Sequence, residues 1–437
     1  MISQYEVDGN QTNHRASKHG DYNSHRRPFS RPIPTKRVAD QPWVYLMMNH
    51  SPDLKDIDSA LLTPVVRQML GNPAAAIIHW EHHPISYINT EESNLGLHRF
   101  QGAAQVQSKV DNWSMVLKAV HAPFNDTDPT CWNYHRREML AYEDGLLAEL
   151  PGGLRAPRCL GITEHPDGTC WLWLEDLKET ATDASWSLEE YRIAAHQLGR
   201  FNGAYLTGHS LPGQSWLSQN WIQGWLDFYD ADCKKTLELI REDGFWEQPA
   251  LKPAFSRSIT DKLLKLWENH HQLLVTLAHL PKTFCHMDAY RPNLFIRRNA
   301  QDVDETVAID WVFAGIGGVG EDIANLLAAS LIWFEYDASD ARHLDEAVFT
   351  GYLNGLREAG WQGNAQLARL GYTSACALRW GVVSLWWLKS IIDPEKHAEF
   401  EEHWNHPIPD LMQQWAHTTY YVLSLAEEAY ELQHALR

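Results

Sequence analysis

The sequence predicts an α+β fold of two lobes, a β-rich N-terminal lobe followed by a larger helical one. Three observations predict it. Residues 75–175 carry short β-branched and apolar runs separated by turn residues. Beyond Leu177 the apolar residues recur at helical spacing over long segments. The length of 437 residues allows two to three domains, and 44% hydrophobic with 21% charged residues is an ordinary globular mix.

Residues 1–42 read as a disordered basic tail, rich in Ser, Asn, His, Arg and Pro and without apolar periodicity. The N-terminal lobe spans 43–175. Strands are expected over 75–87 and 116–120, with the small residues Gly102, Ala103 and Ala104 between them. A helix is expected over 134–150, where Met139, Leu140, Leu146, Leu147 and Leu150 recur at roughly helical spacing before Pro151-Gly152-Gly153 stops it. A further strand follows the Asp167-Gly168 turn at 171–174. The C-terminal lobe, 176–437, reads as helices over 188–206, 259–280, 322–334, 344–359 and 409–434, with short strand-like runs only near 283–297 and 307–310.

Charge and cysteine usage narrow the function classes. Thirty-seven Lys and Arg against 56 Asp and Glu give a net charge of −19, which argues against nucleic acid or an anionic membrane surface as the main partner. The tail holds seven Lys/Arg against four Asp/Glu, so the body carries −22 and would suit a cationic ligand. No two of the six cysteines form a C-x-x-C pair, and their scatter fits a reducing compartment. The N-terminus shows no apolar signal region, and 374–392 is interrupted by Arg379 and Lys389, so a buried helix is expected there, not a membrane span. The expectation is a cytoplasmic protein.

The chemistry is concentrated in His286-Met287-Asp288-Ala289-Tyr290-Arg291-Pro292-Asn293, followed by Ala308-Ile309-Asp310-Trp311. Phosphoryl transfer needs a carboxylate to take the proton of the attacking hydroxyl, hard oxygen ligands for Mg²⁺, and a positive group on the phosphates. Asp288 suits the first role and Asn293 with Asp310 the second. H-x-D-x-x-x-x-N followed by I-D-W resembles the aminoglycoside phosphotransferase and choline kinase-like family, which shares the protein-kinase fold. The resemblance implies Asp288 as catalytic base and Asn293 and Asp310 as Mg²⁺ ligands. Trp311 after the metal Asp, and the lack of an A-P-E segment, favour the small-molecule branch over protein kinases.

The N-terminal half offers the remaining parts. Lys118 ends the apolar run WSMVLKAV, where a strand Lys would reach the nucleotide's phosphates. Twenty residues on, Glu138 is its candidate partner, with Glu143 as a rival; the Arg137-Glu138 pair matches the family. Residues 171–177, WLWLEDL, resemble the interlobe hinge, with Glu175 among the nucleotide-binding residues and Asp176 beside it. The segment 99–105, RFQGAAQ, is taken as the phosphate loop, with Gly102 as its one glycine. Asp322 is read as a structural helix N-cap, and His286 as a brace for the catalytic loop. Glu335 and Asp337 are candidates for holding a cationic acceptor, or simply a charged helix end. HWEHH at 79–83 lacks zincin spacing, and a strand would put His82 on the opposite face from His79 and His83. Trp216, Trp221, Trp225, Trp333, Trp380, Trp386 and Trp387 read as core or as pocket wall.

The resemblance implies an ATP- and Mg²⁺-dependent phosphotransferase acting on a hydroxyl of a small polar molecule such as an aminoglycoside, an amino sugar or a choline-like compound. The alternative is an idle pseudokinase or small-ligand-binding protein of the same fold.

Overall fold

A computed structural model describes residues 54, 57–85, 94–121, 128–178, 185–298, 304–381, 388 and 391–436. These residues fall within one compact unit, Tyr45–Arg437. The basic tail lies outside the described residues.

The N-terminal sheet has five antiparallel strands in the order β1-β2-β3-β6-β5. They are β1 (Ala76–Pro84), β2 (Asn94–Val106), β3 (Lys109–Val120), β5 (Cys159–Glu164) and β6 (Cys170–Glu175); the two-residue β4 (Leu154–Arg155) belongs to a second sheet. Strand parity sorts the side chains. Trp113, Met115, Leu117 and Ala119 of β3 and Trp171 and Trp173 of β6 pack on one face, against Leu62, Val65 and Val66 of helix α1 (Ser59–Leu70). Val120, Cys170, Leu172 and Leu174 lie on the other face with Met139 of helix α2 (Arg137–Glu143). Lys118 has the parity of Val120, so its side chain emerges on the α2 side.

Two expectations in this lobe are corrected. The helix expected over 134–150 is only Arg137–Glu143. It ends at Asp144-Gly145, where Gly145 takes φ +70°, and 144–149 form turns instead. The segment 99–105 is the middle of β2 and not a loop. Gly102 pairs with Trp80 on one side and Trp113 on the other. A Cβ there would sit 2.2 Å from the His79 carbonyl oxygen and 2.9 Å from the Trp113 ring, so strand packing by itself requires the glycine. The connection between β1 and β2 falls at the Lys118 end of the sheet, and 86–93 of it lie outside the described residues.

The C-terminal lobe contains α3 (Leu188–Leu206), α4 (Trp221–Leu239), α5 (Ile259–His279), α6 (Ala324–Ile332), α7 (Ala341–Glu358), α8 (Ala365–Cys376), α9 (His397–Trp404) and α10 (Ile408–Ala435). Ser187 and Glu190 form a capping box that starts α3. The C-terminal end of α8 passes into a π-helical turn, Ala377–Gly381; 382–387 and 389–390 of the buried helix expected over 374–392 lie outside the described residues. Among the described residues no helix is long and apolar enough to cross a membrane, and no disulfide joins any of the six cysteines.

Two small ladders position the loops that matter. Strand β7 (Lys282–Cys285) pairs antiparallel with β10 (Gly315–Gly318), so Cys285 faces Gly315. Strand β8 (Leu294–Arg298) pairs antiparallel with β9 (Asp304–Ala308), so Leu294 faces Ala308. The loops 286–293 and 309–314 are therefore pinned beside each other at both ends.

Candidate active site

On the N-terminal side, Lys118 and Glu138 are 6% and 4% exposed, and the Lys118 Nζ donates to Glu138 Oε2 at 2.7 Å. The same ammonium donates to Asp310 Oδ1 at 2.6 Å. Glu138 Oε1 accepts from the Trp311 backbone N–H at 3.2 Å. Glu138 thus ties the strand Lys to the Asp310 loop, whereas Glu143 is exposed on the opposite side of α2. Burial works against the charged Lys118, but Asp310 and Glu138 outweigh it and hold the amine well above the ordinary lysine range.

Arg137, beside Glu138, is fully buried and faces no carboxylate among its hydrogen-bond partners. Its guanidinium donates to the carbonyls of Trp216 at 2.9 Å, Trp132 at 3.0 Å, Cys131 at 2.6 Å, Pro129 at 3.3 Å and Val312 at 2.7 Å. Burial lowers its pKa to about 10. The geometry fastens α2 to the end of the Asp310 loop and to the start of the helical lobe.

The loop 286–293 is held from several sides. His286 Nδ1 accepts from the Asp288 N–H at 3.1 Å, and Nε2 lies 2.8 Å from the Ile309 carbonyl, which places the ring hydrogen on Nε2. The Asn293 carbonyl accepts from the Ile309 N–H at 2.9 Å. Asn293 Nδ2 donates to Asp288 Oδ2 at 2.9 Å and to the Asp288 carbonyl at 3.0 Å. Met287 and Asp310 adopt φ of +67° and +63°, a left-handed backbone that costs side-chain-bearing residues about 1 kcal/mol or more. Both loops store that strain where the polar groups converge.

Asp322 is structural, but not as a helix cap. The N-cap of α6 is Ile323, which offers no side-chain cap. Asp322 Oδ1 instead accepts from the Met287 N–H at 2.8 Å and Oδ2 from Asn202 Nδ2 at 3.1 Å, bracing the strained loop from behind.

Three residues with no motif of their own complete the surroundings of Asp288. Asn325 of α6 donates to Asp288 Oδ1 at 2.7 Å and accepts from Trp380 Nε1 at 2.8 Å. Arg379 Nη2 donates to the same Oδ1 at 2.8 Å, and Nη1 donates to the Met287 carbonyl. Burial raises the Asp288 carboxyl above the ordinary aspartate range; Arg379 pulls it down and Asp310 adds to the rise. These residues lie 37 to 92 positions from Asp288, so no local spacing marks them.

Other candidates are occupied elsewhere. The Glu175 carboxylate accepts from Arg155 Nη1 at 2.9 Å and from the Arg158 N–H at 3.1 Å, and its own N–H donates to the Arg158 carbonyl at 2.9 Å. The side chain therefore ties the end of β6 to Arg155 and to the Arg158 backbone. Asp176 accepts from Ser114 and pairs with Arg99 at 3.0 Å. Glu335 is not a free anion: it pairs with Arg291 at 2.7 Å, and burial raises its carboxyl. Asp337 accepts from the Ser339 N–H at 2.9 Å, capping a short 3₁₀ turn. On β1, His83 pairs with Glu81 at 3.6 Å on an exposed face. Among the described residues no three His, Cys, Asp or Glu side chains gather as a metal cluster; the hard-oxygen pair at the site is Asn293 and Asp310.

A model of the phosphotransferase enzyme family matches residues 103–363, more than half of the chain. Among curated proteins no sequence matches. Solved structures that resemble the chain include an amicoumacin kinase in complex with AMP-PNP and Ca²⁺, at 13% identity and a TM-score of 0.46, covering 80% of this chain and 95% of that one. A microcompartment-associated aminopropanol kinase has 13% identity and a TM-score of 0.48, with 84% and 98% covered. The choline kinase from Cryptosporidium parvum has 12% identity and a TM-score of 0.42, with 88% and 94% covered. The family match takes in β3, α2, β6 and both pinned loops, and on it the chain, with its two-lobed kinase-like fold, belongs to the phosphotransferase enzyme family.

Proposed function

We propose that the chain is an ATP- and Mg²⁺-dependent phosphotransferase that moves the γ-phosphoryl group to a hydroxyl of a small polar molecule. The observation that carries this reading is the convergence of Lys118 of β3 and Glu138 of α2 on two loops, pinned at both ends, that carry Asp310, Asp288 and Asn293. The residues fit the metal. Asn293 turns its Nδ2 to Asp288, which leaves its Oδ1, the amide's acceptor, for a hard cation. Asp310 contributes a carboxylate, and Mg²⁺ ordinarily takes one or two such ligands together with substrate phosphates and water. When bound, the ion supplies charge neutralisation at the phosphate oxygens.

The chain's own residues then do the rest. Lys118, held by Glu138, presents positive charge to the phosphates, and Asp288 accepts the proton of the acceptor hydroxyl. The family relation and the site support this assignment of Asp288, Lys118, Glu138, Asn293 and Asp310. The pairing of Glu335 with Arg291 removes the specific argument for a cationic acceptor, so the class is stated as a small polar alcohol.

The test is an ADP-release screen over aminoglycosides, amino sugars, choline and homoserine, with casein as a protein control. Turnover with a small alcohol is expected. Asp288→Asn should lower kcat by about 10²- to 10⁴-fold with nucleotide affinity nearly unchanged. Retained turnover in that variant would remove Asp288 as the base. Mg·ATP binding without ADP release from any acceptor, water included, would favour the idle-fold alternative.

A further inference from the structure

Arg379 stands out because nothing in its local sequence marks it, yet it is bound to the residue proposed as the base. It lies in the π-helical turn Ala377–Gly381, a kind of distortion that recurs at functional sites. The guanidinium is 4.2 Å above the Trp221 ring and flanked by Trp225 at 5.6 Å and Trp380 at 5.5 Å. Trp225 Nε1 donates to the Arg379 carbonyl at 3.3 Å, so the aromatic wall fixes the backbone as well as the head group. A cation on tryptophan faces, desolvated at 6% exposure, is held more strongly than one at a surface.

This wall delivers two donors to one oxygen. Arg379 Nη2 reaches Asp288 Oδ1 at 2.8 Å, and its neighbour Trp380 orients Asn325, whose Nδ2 reaches the same Oδ1 at 2.7 Å. Both lone pairs of Oδ1 are then used. Asp288 Oδ2 accepts, among the described residues, from Asn293 Nδ2 at 2.9 Å, and it keeps one acceptor direction open. Arg379 Nη1 meanwhile holds the Met287 carbonyl, so the left-handed backbone at Met287 is restrained on its carbonyl side by Arg379 and on its N–H side by Asp322. The catalytic loop's own cation, Arg291, pairs with Glu335.

We propose that Arg379 is a positioning residue for Asp288: with Asn325 it closes Oδ1 and fixes the carboxylate so that Oδ2 is the oxygen that takes the acceptor's proton. The inference rests on the phosphotransferase reading above. In the step it serves, the acceptor oxygen forms a bond to the γ-phosphorus while its proton passes to Asp288 Oδ2. The bond from the γ-phosphorus to the bridging oxygen breaks, and ADP leaves with the electron pair. The neutral Asp288 acid then returns its proton to solvent.

The experiment compares Arg379→Ala and Arg379→Lys with wild type and Asp288→Asn. It measures kcat and KM for ATP with the best acceptor of the screen, or with water as acceptor, and it monitors nucleotide binding and folding. Arg379→Ala should lose about 10²-fold in kcat with KM for ATP within about twofold, and millimolar guanidinium should restore part of the lost kcat. Arg379→Lys keeps the charge but not the two-pronged geometry and should fall between. If Arg379→Ala proves unfolded, the lysine variant carries the test. A folded variant with wild-type kcat, while Asp288→Asn is dead, would overturn the positioning role and leave the function standing. Loss of kcat with no guanidinium response and a matching rise in KM for ATP would reduce Arg379 to a structural brace. An active Asp288→Asn would instead overturn the base assignment, and this inference with it.

Discussion

Lys118 is the residue where a charge, a strand and a loop meet, and its chemistry follows from strand parity. Parity turns it toward α2, burial raises the cost of its charge, and two carboxylates offset that cost. Asp310 is therefore shared between the ammonium and the proposed metal. Removing the other partner should make the competition visible. In Glu138→Ala, Lys118 rests on Asp310 alone, and the Mg²⁺ concentration for half-maximal nucleotide binding should rise about tenfold, a shift of about 1.4 kcal/mol. A magnesium titration with an unchanged midpoint would contradict the sharing. The residues legible in the sequence were those whose partners lie nearby or in fixed order: Lys118 with Glu138 twenty positions on, and Asp288 with Asn293 five positions on. Arg379 and Asn325 were not legible, because a guanidinium-to-carboxylate contact across 91 residues leaves no periodic trace. Gly102 was ambiguous because a small residue forced by a neighbouring Trp113 ring looks, in sequence, like one forced by a phosphate.

Elements were legible where one face alone is buried, as in α3 and α10, and blurred where turn chemistry or burial on every side intervenes. The Asp144-Gly145 turn cut α2 to two turns, and the fully buried segment around 376–380 concealed a π turn behind a plain apolar run. Beside that turn, α7, α8 and α10 are joined by charge. Arg369 of α8 donates in two prongs to Asp345 of α7, at 2.5 and 2.8 Å, and to Glu428 of α10, at 2.7 Å each. Tyr421 adds a 2.7 Å hydrogen bond to Asp345, and the guanidinium lies 5.1 Å from the Phe349 ring. Asp345 is 5% exposed, so removing the cation strands a buried carboxylate. Arg369→Ala should lower unfolding stability by about 3 kcal/mol, the usual cost of breaking a buried pair. Urea unfolding is the measure, and a loss below about 0.5 kcal/mol would mark the network as no more than surface-like. The π turn continues α8 directly, so the variant should also weaken the support of Arg379, seen as a lower kcat in protein that is still folded.

At the scale of the molecule, an acidic chain of net charge −19 buries several of its own carboxylates, and the two facts act in the same direction. Above neutrality the body repels itself. Glu321 shows the second effect most clearly. It precedes α6, accepts from the Gly318 N–H at 2.6 Å, and is pushed by burial up to about 7 from an ordinary 4.5, against the pull of that hydrogen bond and of Lys282. Between pH 4.5 and about 7 the folded state binds more protons at this site than the unfolded state does, so stability falls as pH rises through that window. The site exacts nothing below it, and its full effect, about 3 kcal/mol, is reached above it. Glu321→Gln keeps a carbonyl oxygen for the Gly318 N–H and cannot ionise. The variant should therefore unfold like wild type near pH 4.5 and become progressively more stable than wild type toward pH 8. Parallel stability curves for the two proteins across that range would show that Glu321 does not titrate with folding, and the pH dependence would then belong to Asp288, Asp322 and the general charge.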